Sequence, residues 1–191
     1  MASNALGTID KQVLKCERCP RLRNYCAEIG QKKRRAFADE IYWAKPVANF
    51  GDHSARILIV GLAPAAHGAN RTGRMFTGDR SGEWLYRALH KAGFSSVPES
   101  LRRDDDLTLQ DCLITAVCHC APPDNKPTRE EIEICHDYLS GTFAALEPKV
   151  VIALGGLAWQ RSLKVLGEMK LLGPSRGLPK FGHLSEHVYD D

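Results

Sequence analysis

The sequence predicts an α/β fold in which helices cover both faces of a central, mostly parallel sheet, a three-layer α/β/α arrangement. Three short apolar segments have the length and composition of buried strands: 56–60, 111–117 and 150–154. A segment with a helical pattern follows each of them. Because strands that alternate with helices pair in parallel through right-handed crossovers, we expect a doubly wound sheet.

The segment before the first strand is basic. Residues 10–29 have a helical pattern that carries Cys16 and Cys19 near its start, and residues 30–55 are irregular. The first 35 residues hold nine Lys or Arg and only three Asp or Glu, in a chain whose net charge is +3. This pattern indicates either a solvated helical face or a surface that meets a polyanion.

The connection after the first strand is unusually long. It runs over 61–82, is rich in glycine and carries His, Asn, Arg and Asp side chains. A connection that only turns the chain uses about two to six residues. Since α/β proteins bind ligands in loops at the carboxyl ends of parallel strands, we expect the functional site here. The helix predicted over 81–93 has apolar residues at helical spacing: Trp84, Leu85, Ala88 and Leu89.

The second half of the chain repeats the alternation of strand and helix. A proline-rich loop at 121–127 follows the second strand, and Thr128 with Glu131 forms a capping box for a helix that reaches about residue 146. After the third strand, two glycines make a tight turn into a helix at 157–166. Residues 173–179 have loop composition, and residues 181–191 show no strong strand pattern.

Length and composition predict one domain over 1–191, with 10–55 as an N-terminal helical segment packed on it. The chain has 191 residues, of which 43% are hydrophobic and 26% charged, as in ordinary globular proteins. The apolar runs are far shorter than the roughly 20 residues of a membrane span, and the first residues have no apolar signal core. We therefore expect a cytoplasmic protein without a membrane partner.

Seven cysteines argue for metal ligation or reactive thiols rather than a disulfide framework. Cys16 and Cys19 form a Cys-x-x-Cys pair, and fourteen residues separate Cys120 from Cys135. Four interpretations remain open from the residues alone: burial as small apolar side chains, a structural zinc site, a redox pair, or an iron–sulfur cluster. Cys118 competes with Cys120 as a ligand because it lies two residues away.

Two segments, 61–79 and 120–127, resemble the family 5 (type b) uracil-DNA glycosylases of the uracil-DNA glycosylase superfamily. The resemblance covers roughly residues 10–180. It implies the same α/β fold with a central, mostly parallel sheet, and a 4Fe-4S cluster held by four cysteines: Cys16, Cys19, Cys120 and Cys135. It favours Cys120 over Cys118, since Cys120 directly precedes the Pro-Pro loop. It also implies removal of uracil, and often of hypoxanthine or xanthine, from DNA.

For such a reaction the damaged nucleotide leaves the duplex and enters a pocket. Phe76 is the candidate aromatic platform, with core packing as the alternative, and Asn125 the candidate for the base edge, with a solvated turn as the alternative. Asp79 is the candidate carboxylate that orients water or stabilises the sugar cation, with a helix N-cap as the alternative. His67 is the candidate donor to the departing base or to a phosphate.

Further contacts are expected around the same loop. The backbone N–H groups near Leu62 and Ala63 are candidates for stabilising the base anion. Four side chains are candidates for contacts with DNA: Asn70, Arg71, Arg74 and Arg80. The loop has Ala65 where other branches of the superfamily carry a polar residue that activates water, as the type b pattern implies, and this shifts that task to Asp79.

The family has a second signature after a final strand, and this chain does not show it before Asp191. We therefore expect a C-terminally truncated version of the fold, with one wall of the site missing and activity weakened or lost. The leading hypothesis is a monomeric, nucleoid-associated DNA glycosylase that acts in base-excision repair. The alternatives are a catalytically impaired DNA-binding iron–sulfur protein and an iron–sulfur redox protein unrelated to DNA.

Overall fold

One four-stranded sheet organises the protein, whose computed structural model describes residues 2–172 and 179–188. The strands are β1 (Phe50–Gly51), β2 (Ile57–Gly61), β3 (Cys112–Ala116) and β4 (Val150–Ala153). They lie in the order β1–β3–β2–β4, and β2 pairs in parallel with both β3 and β4. The short β1 pairs antiparallel with β3. The sheet is therefore mostly parallel, as predicted.

The described residues form six α-helices around the sheet: α1 (Ala2–Leu14), α2 (Pro20–Lys32), α3 (Ala69–Thr72), α4 (Arg80–Lys91), α5 (Arg129–Leu146) and α6 (Gly156–Glu168). Two 3₁₀ turns lie at Arg35–Phe37 and Pro123–Asn125. The capping box that opens α5 is confirmed, because Thr128 accepts from the backbone N–H of Glu131 and the Glu131 carboxylate accepts from that of Thr128. Among the described residues, no helix is both long and apolar enough to cross a membrane.

Alternation along the strands sends neighbouring side chains to opposite faces of the sheet. Leu58 and Val60 pack with residues of α1, α5 and α6, whereas Ile59 packs with Tyr86 and Leu89 of α4. Each face therefore has its own apolar core beneath its own helices. This confirms the three-layer α/β/α architecture.

Three details differ from the sequence prediction. The single helical segment expected at 10–29 is two helices, since Pro20 starts α2 and the chain between them bends through Cys16 and Cys19. The irregular segment 30–55 contains β1, which at two residues is too short to show an alternating pattern. Trp84 is 62% exposed, whereas Tyr86 supplies the buried face of α4. Most of the C-terminal loop expected at 173–179 lies outside the described residues.

Parallel pairing brings two loops together at one edge of the sheet. β2 and β3 end in register, with Gly61 opposite Ala116. The pairing continues past the strands, as Val117 N–H donates to Gly61 O at 3.0 Å and Cys118 N–H to Leu62 O at 3.0 Å. The glycine-rich loop (62–79) and the proline-rich loop (117–128) therefore leave the sheet side by side.

Candidate active site

An open cavity of about 480 Å³ lies over these two loops. It is large enough to hold a small ligand or an extruded nucleoside. Four of the predicted site residues line it: His67, Asp79, Arg80 and Asn125. Three residues that the sequence interpretation did not single out also line it: Tyr25, Arg34 and Phe37. The fold thus gathers two carboxylates (Asp79 and Asp124), one imidazole and two guanidinium groups around one pocket.

Asp79 occupies the boundary between the glycine-rich loop and α4. Its Oδ1 accepts from the backbone N–H of Gly82 at 3.0 Å, so the N-cap alternative is confirmed. Its Oδ2 lies over Gly68, where an added Cβ would come within 1.9 Å of that oxygen. A glycine at 68 is what permits this approach. The carboxylate therefore caps a helix and borders the pocket at the same time.

His67 lies on the opposite part of the same loop. Its Nδ1 is 2.9 Å from the Tyr42 hydroxyl, and the two rings meet edge to face. Partial burial, followed by the positive charges of Arg34 and Arg71, lowers the pKa of His67. The imidazole is therefore held neutral at neutral pH, a state that can donate one hydrogen bond into the pocket.

Phe76 sits behind the pocket rather than among the side chains that line it. Its backbone has a φ of +52°, and its ring lies on Gly61, where an added Cβ would be 2.7 Å from the ring carbons. The ring is half-buried and packs against the apolar core that contains Tyr86. Phe76 therefore packs in the core, as the alternative interpretation predicted. To act as a platform for the base, its ring would have to be accessible to that base from the pocket.

Asn125 is exposed at the rim of the pocket. It ends the 3₁₀ turn of the proline-rich loop with a φ of +56°, next to Asp124 with a φ of +53°. Asparagine tolerates this left-handed backbone better than most residues, which is the turn chemistry given as the alternative. Its side chain nevertheless faces the same pocket as His67 and Asp79.

The predicted backbone donors, Leu62 and Ala63, lie half-buried just after β2, where the carbonyl oxygen of Leu62 accepts a hydrogen bond from Cys118 N–H.

Three of the four predicted DNA contacts point into the protein instead. Asn70, Arg71 and Arg74 are 0%, 5% and 4% exposed, whereas Arg80 is exposed at the pocket. Such burial contradicts a direct contact with DNA phosphates for these three side chains. The error has a physical cause, since a sequence shows that a loop is basic but does not show which way each guanidinium turns.

The inward side chains shape the glycine-rich loop. Arg71 donates from Nε to His67 O at 2.8 Å and from Nη2 to Gly78 O at 3.0 Å, which ties the two ends of the loop together. It also pairs with Glu40 and stacks on the Phe37 ring at 3.9 Å. This clamp holds His67 and the residues just before Asp79 at a fixed separation.

Arg74 anchors the same loop to a neighbouring segment. Its guanidinium binds both carboxylate oxygens of Asp105, at 2.5 and 2.8 Å, and its Nε donates to Thr77 Oγ1 at 2.9 Å. Burial opposes the ionised form of Asp105, but Arg74 and the backbone N–H groups of Arg102 and Leu107 outweigh it and lower the pKa of that carboxyl. This is a bidentate, largely buried ion pair.

A second, smaller cavity lies beside the pocket and collects cysteines. Its lining includes Cys16, Cys19, Cys120 and Cys135, the set that the family resemblance implies. Cys118 does not line it, although Cys118 and Cys135 belong to the same apolar cluster of side chains. The cavity is closed by α2, which is held to α5 by the bidentate pair of Arg21 with Glu131 at 2.7 Å.

The donor chemistry of this cavity fits an iron–sulfur cluster. Four thiols face one enclosed space, and burial together with the neighbouring Cys135 and Cys16 raises the pKa of Cys19 to about 11. His119 also lines the cavity, and its buried Nε2 has no hydrogen-bond partner among the described residues. Yet in that same part of the chain no group of three or more His, Cys, Asp or Glu side chains is arranged to hold a metal ion. The four cysteines therefore fit the cluster by their kind and by their shared cavity, and not by a metal-holding arrangement of their thiols.

Comparison with known proteins finds similarity to one protein family. The sequence profile of the uracil DNA glycosylase superfamily matches residues 48–187. The chain is 47% identical over 179 residues to a type-5 uracil-DNA glycosylase of Mycobacterium leprae, across 91% of this chain and 78% of the relative. It is 51% identical over 162 residues to the type-5 enzyme of Thermus thermophilus, across 84% and 73%.

A third relative, the type-5 uracil-DNA glycosylase of Mycobacterium bovis, is 47% identical over 170 residues. The matched part covers 88% of this chain but 62% of that relative. These three relatives are thus matched over 62% to 78% of their own lengths.

Proposed function

The chain belongs to the uracil DNA glycosylase superfamily, and on that premise we propose that it removes uracil from DNA by hydrolysing the bond between base and deoxyribose. The observation that carries the proposal is the pocket of about 480 Å³ that Asp79, His67, Asn125 and Arg80 share. A cavity of this volume also admits a purine, so we extend the proposal to hypoxanthine and xanthine. The partner is DNA that contains a deaminated base.

The reaction needs a base that has left the duplex, because the glycosidic bond cannot be reached inside the stack. When the bond between C1′ and the base nitrogen breaks, its electron pair goes to the base, and positive charge develops on the sugar. A water molecule then adds its oxygen to C1′ and loses one proton. The products are the free base, once it has gained a proton, and an abasic deoxyribose.

Asp79 is the group that suits the sugar side of this reaction. Its carboxylate borders the pocket through Oδ2 while Oδ1 is fixed by the Gly82 N–H, so the charge is held in one orientation. A fixed anion stabilises the developing sugar cation and can accept the proton of the attacking water. His67, as a neutral donor, suits the base side, and Arg80 with Arg34 suits the flanking phosphates.

We also propose that Cys16, Cys19, Cys120 and Cys135 hold a 4Fe-4S cluster. When bound, the cluster supplies a covalent cross-link among the α1–α2 connection, the proline-rich loop and α5. The hydrolysis transfers no electrons, so it calls on the cluster only to hold these segments together. Asn125 follows Cys120 in the same loop, and the cluster would thereby hold one rim of the pocket.

The test of the reaction uses Asp79→Asn. Asparagine caps a helix about as well as aspartate but carries no charge, so stability should stay within about 0.5 kcal/mol while single-turnover excision of uracil falls about 10²- to 10⁴-fold. Asp79→Ala should lose the cap as well and melt earlier. If the Asp79→Asn variant excises uracil at the wild-type rate, Asp79 has no part in the mechanism. If the wild-type protein binds DNA in a salt-dependent way but excises no uracil, the protein is the catalytically impaired DNA-binding alternative.

The test of the cluster compares cysteines inside and outside the small cavity. Cys135→Ala should lose iron, sulfide and visible absorbance, whereas Cys112→Ala, a buried thiol on β3, should keep them. Cys118→Ala and Cys120→Ala separate the two neighbouring candidates in the same assay. Retention of iron and sulfide by Cys120→Ala together with their loss in Cys118→Ala would reverse the assignment.

A further inference from the structure

Tyr42 is a buried side chain that does not line the pocket and whose hydroxyl contacts the imidazole of His67, which does. It is 7% exposed and lies in the irregular segment before β1, 25 residues ahead of its partner. Its hydroxyl is 2.9 Å from His67 Nδ1, and the ring centroids are 6.0 Å apart at an interplanar angle of 83°. Because Tyr42 does not line the pocket, any effect that its hydroxyl has on the reaction must pass through a side chain that it contacts.

Donors and acceptors around the Tyr42 hydroxyl fix the direction of this hydrogen bond. The backbone N–H of Arg34 donates to the hydroxyl oxygen at 3.3 Å. The oxygen accepts there, and among the described residues His67 Nδ1 is the one acceptor within hydrogen-bond distance of the hydroxyl, so the hydroxyl proton is directed to it. Nδ1 is then the acceptor nitrogen of a neutral imidazole, which places the ring proton on Nε2.

The other nitrogen of His67 is free for a ligand. Among the described residues Nε2 has no hydrogen-bond partner, and His67 lines the pocket. The charged groups around the ring are Arg34 and Arg71, which disfavour protonation, and Asp79 farther along the loop. The ring therefore presents a neutral N–H donor to the pocket that contains the carboxylate.

We propose that Tyr42 is a positioning residue that locks His67 in the Nε2–H tautomer, so that the imidazole donates to the departing base. This inference rests on the proposed glycosylase function. The opposite tautomer would direct a lone pair at an oxygen that is gaining negative charge, which would raise the barrier instead of lowering it. Tyr42 thus selects which of two neutral forms of the histidine reaches the reaction.

The direct test is the tautomer itself. With ¹⁵N-labelled histidine, the ring signals of His67, assigned by their loss in His67→Gln, should show an Nε2–H imidazole in the wild type near pH 7.5. Tyr42→Phe should shift them toward a mixture of both tautomers. An Nδ1–H ring in the wild type, or unchanged signals in Tyr42→Phe, would overturn the proposal whether or not the protein excises uracil.

The kinetic test uses two leaving groups. 5-Fluorouracil departs as a more stable anion than uracil and depends less on a hydrogen-bond donor. Tyr42→Phe should slow single-turnover excision of uracil about 10-fold, less than the roughly 10²- to 10³-fold cost of losing an oxyanion donor outright, and should slow 5-fluorouracil excision much less. Adding Tyr42→Phe to His67→Gln should cause no further selective loss.

Tyr86→Phe is the matched control, since it removes an equally buried hydroxyl that donates to Met75 O at 2.8 Å and does not contact His67. It should affect both substrates by the same factor. Equal slowing of both substrates by Tyr42→Phe would mean that Tyr42 only supports the fold and would overturn the proposal. Absence of excision by the wild type would instead refute the proposed function, and the tautomer measurement would still decide the role of Tyr42.

Discussion

The two loops that border the pocket are held in place by different means. The glycine-rich loop (62–79) is braced from within, because Arg71 and Arg74 turn inward and bind its backbone and the adjoining Asp105. The proline-rich loop (117–128) is held from outside, by α2. Arg21 reaches Lys126 O at 3.4 Å, and the Cys26 thiol lies 3.7 Å from Ala121 O.

The two sides of the pocket therefore depend on different parts of the chain for their positions. The position of His67 and Asp79 depends on arginines of their own loop, whose carboxylate partners lie 31 residues away in the chain. The position of Asn125 depends on a helix whose contact is 105 residues away. Substitutions in the first loop should therefore act on stability and geometry directly. Substitutions that loosen α2 should leave the sheet intact and displace only one rim of the pocket.

The largest expected effect is that of Arg74→Ala. Removing this guanidinium leaves the Asp105 carboxylate without its bidentate partner in a largely buried site, which costs about 3–5 kcal/mol. Urea unfolding should show this loss. Arg80→Ala, on the outer side of the same loop, should stay within about 0.5 kcal/mol of the wild type. A stable Arg74→Ala variant with a reduced salt dependence of DNA binding would instead restore the interpretation of Arg74 as a phosphate contact.

The contrast between the two loops also explains what the sequence could predict. The parallel strands, the helices between them and the capping box of α5 have local signals, and the structure confirms them. The inward turn of Arg71 and Arg74 has no local signal, because burial of a guanidinium depends on partners such as Glu40 and Asp105 that lie elsewhere in the chain. Tyr42 was missed for the same reason.

Asp79 shows that a structural and a functional interpretation of one residue can both describe the same geometry. The N-cap alternative is what the structure shows, yet capping uses one carboxylate oxygen and leaves the other beside Gly68 at the pocket. From the sequence, the capping role and the catalytic role are alternatives, because the sequence shows only that an aspartate stands at position 79. It does not show that the two carboxylate oxygens have different surroundings. The catalytic role of Asp79 stays a prediction for the Asp79→Asn experiment.

A change of geometry within the first loop should affect activity more than stability. Gly68→Ala places a methyl group where Asp79 Oδ2 now lies, so the carboxylate must move by an ångström or more. A displacement of that size can reduce excision about 10²-fold, while the weakened cap costs about 1 kcal/mol. Gly7→Ala in α1 is the control, since no atom lies within 4 Å of the added Cβ. Equal rates for the two alanine variants would show that the carboxylate position is unimportant.

A small effect on stability is expected for Arg21→Ala, which tests the outer brace. Arg21 is half-exposed, and Glu131 keeps the backbone N–H of Thr128 as a partner after the substitution, so the loss should be about 1 kcal/mol. Uracil excision should nevertheless fall further than that loss of stability explains, because Lys126 O loses its contact and the rim with Asn125 shifts. Lys164→Ala on α6, which removes an exposed ion pair with Glu133 of α5, is a control of similar charge and exposure. If both variants lose the same small stability and neither loses activity, then the proline-rich loop holds its own shape, and the contrast between the two loops disappears.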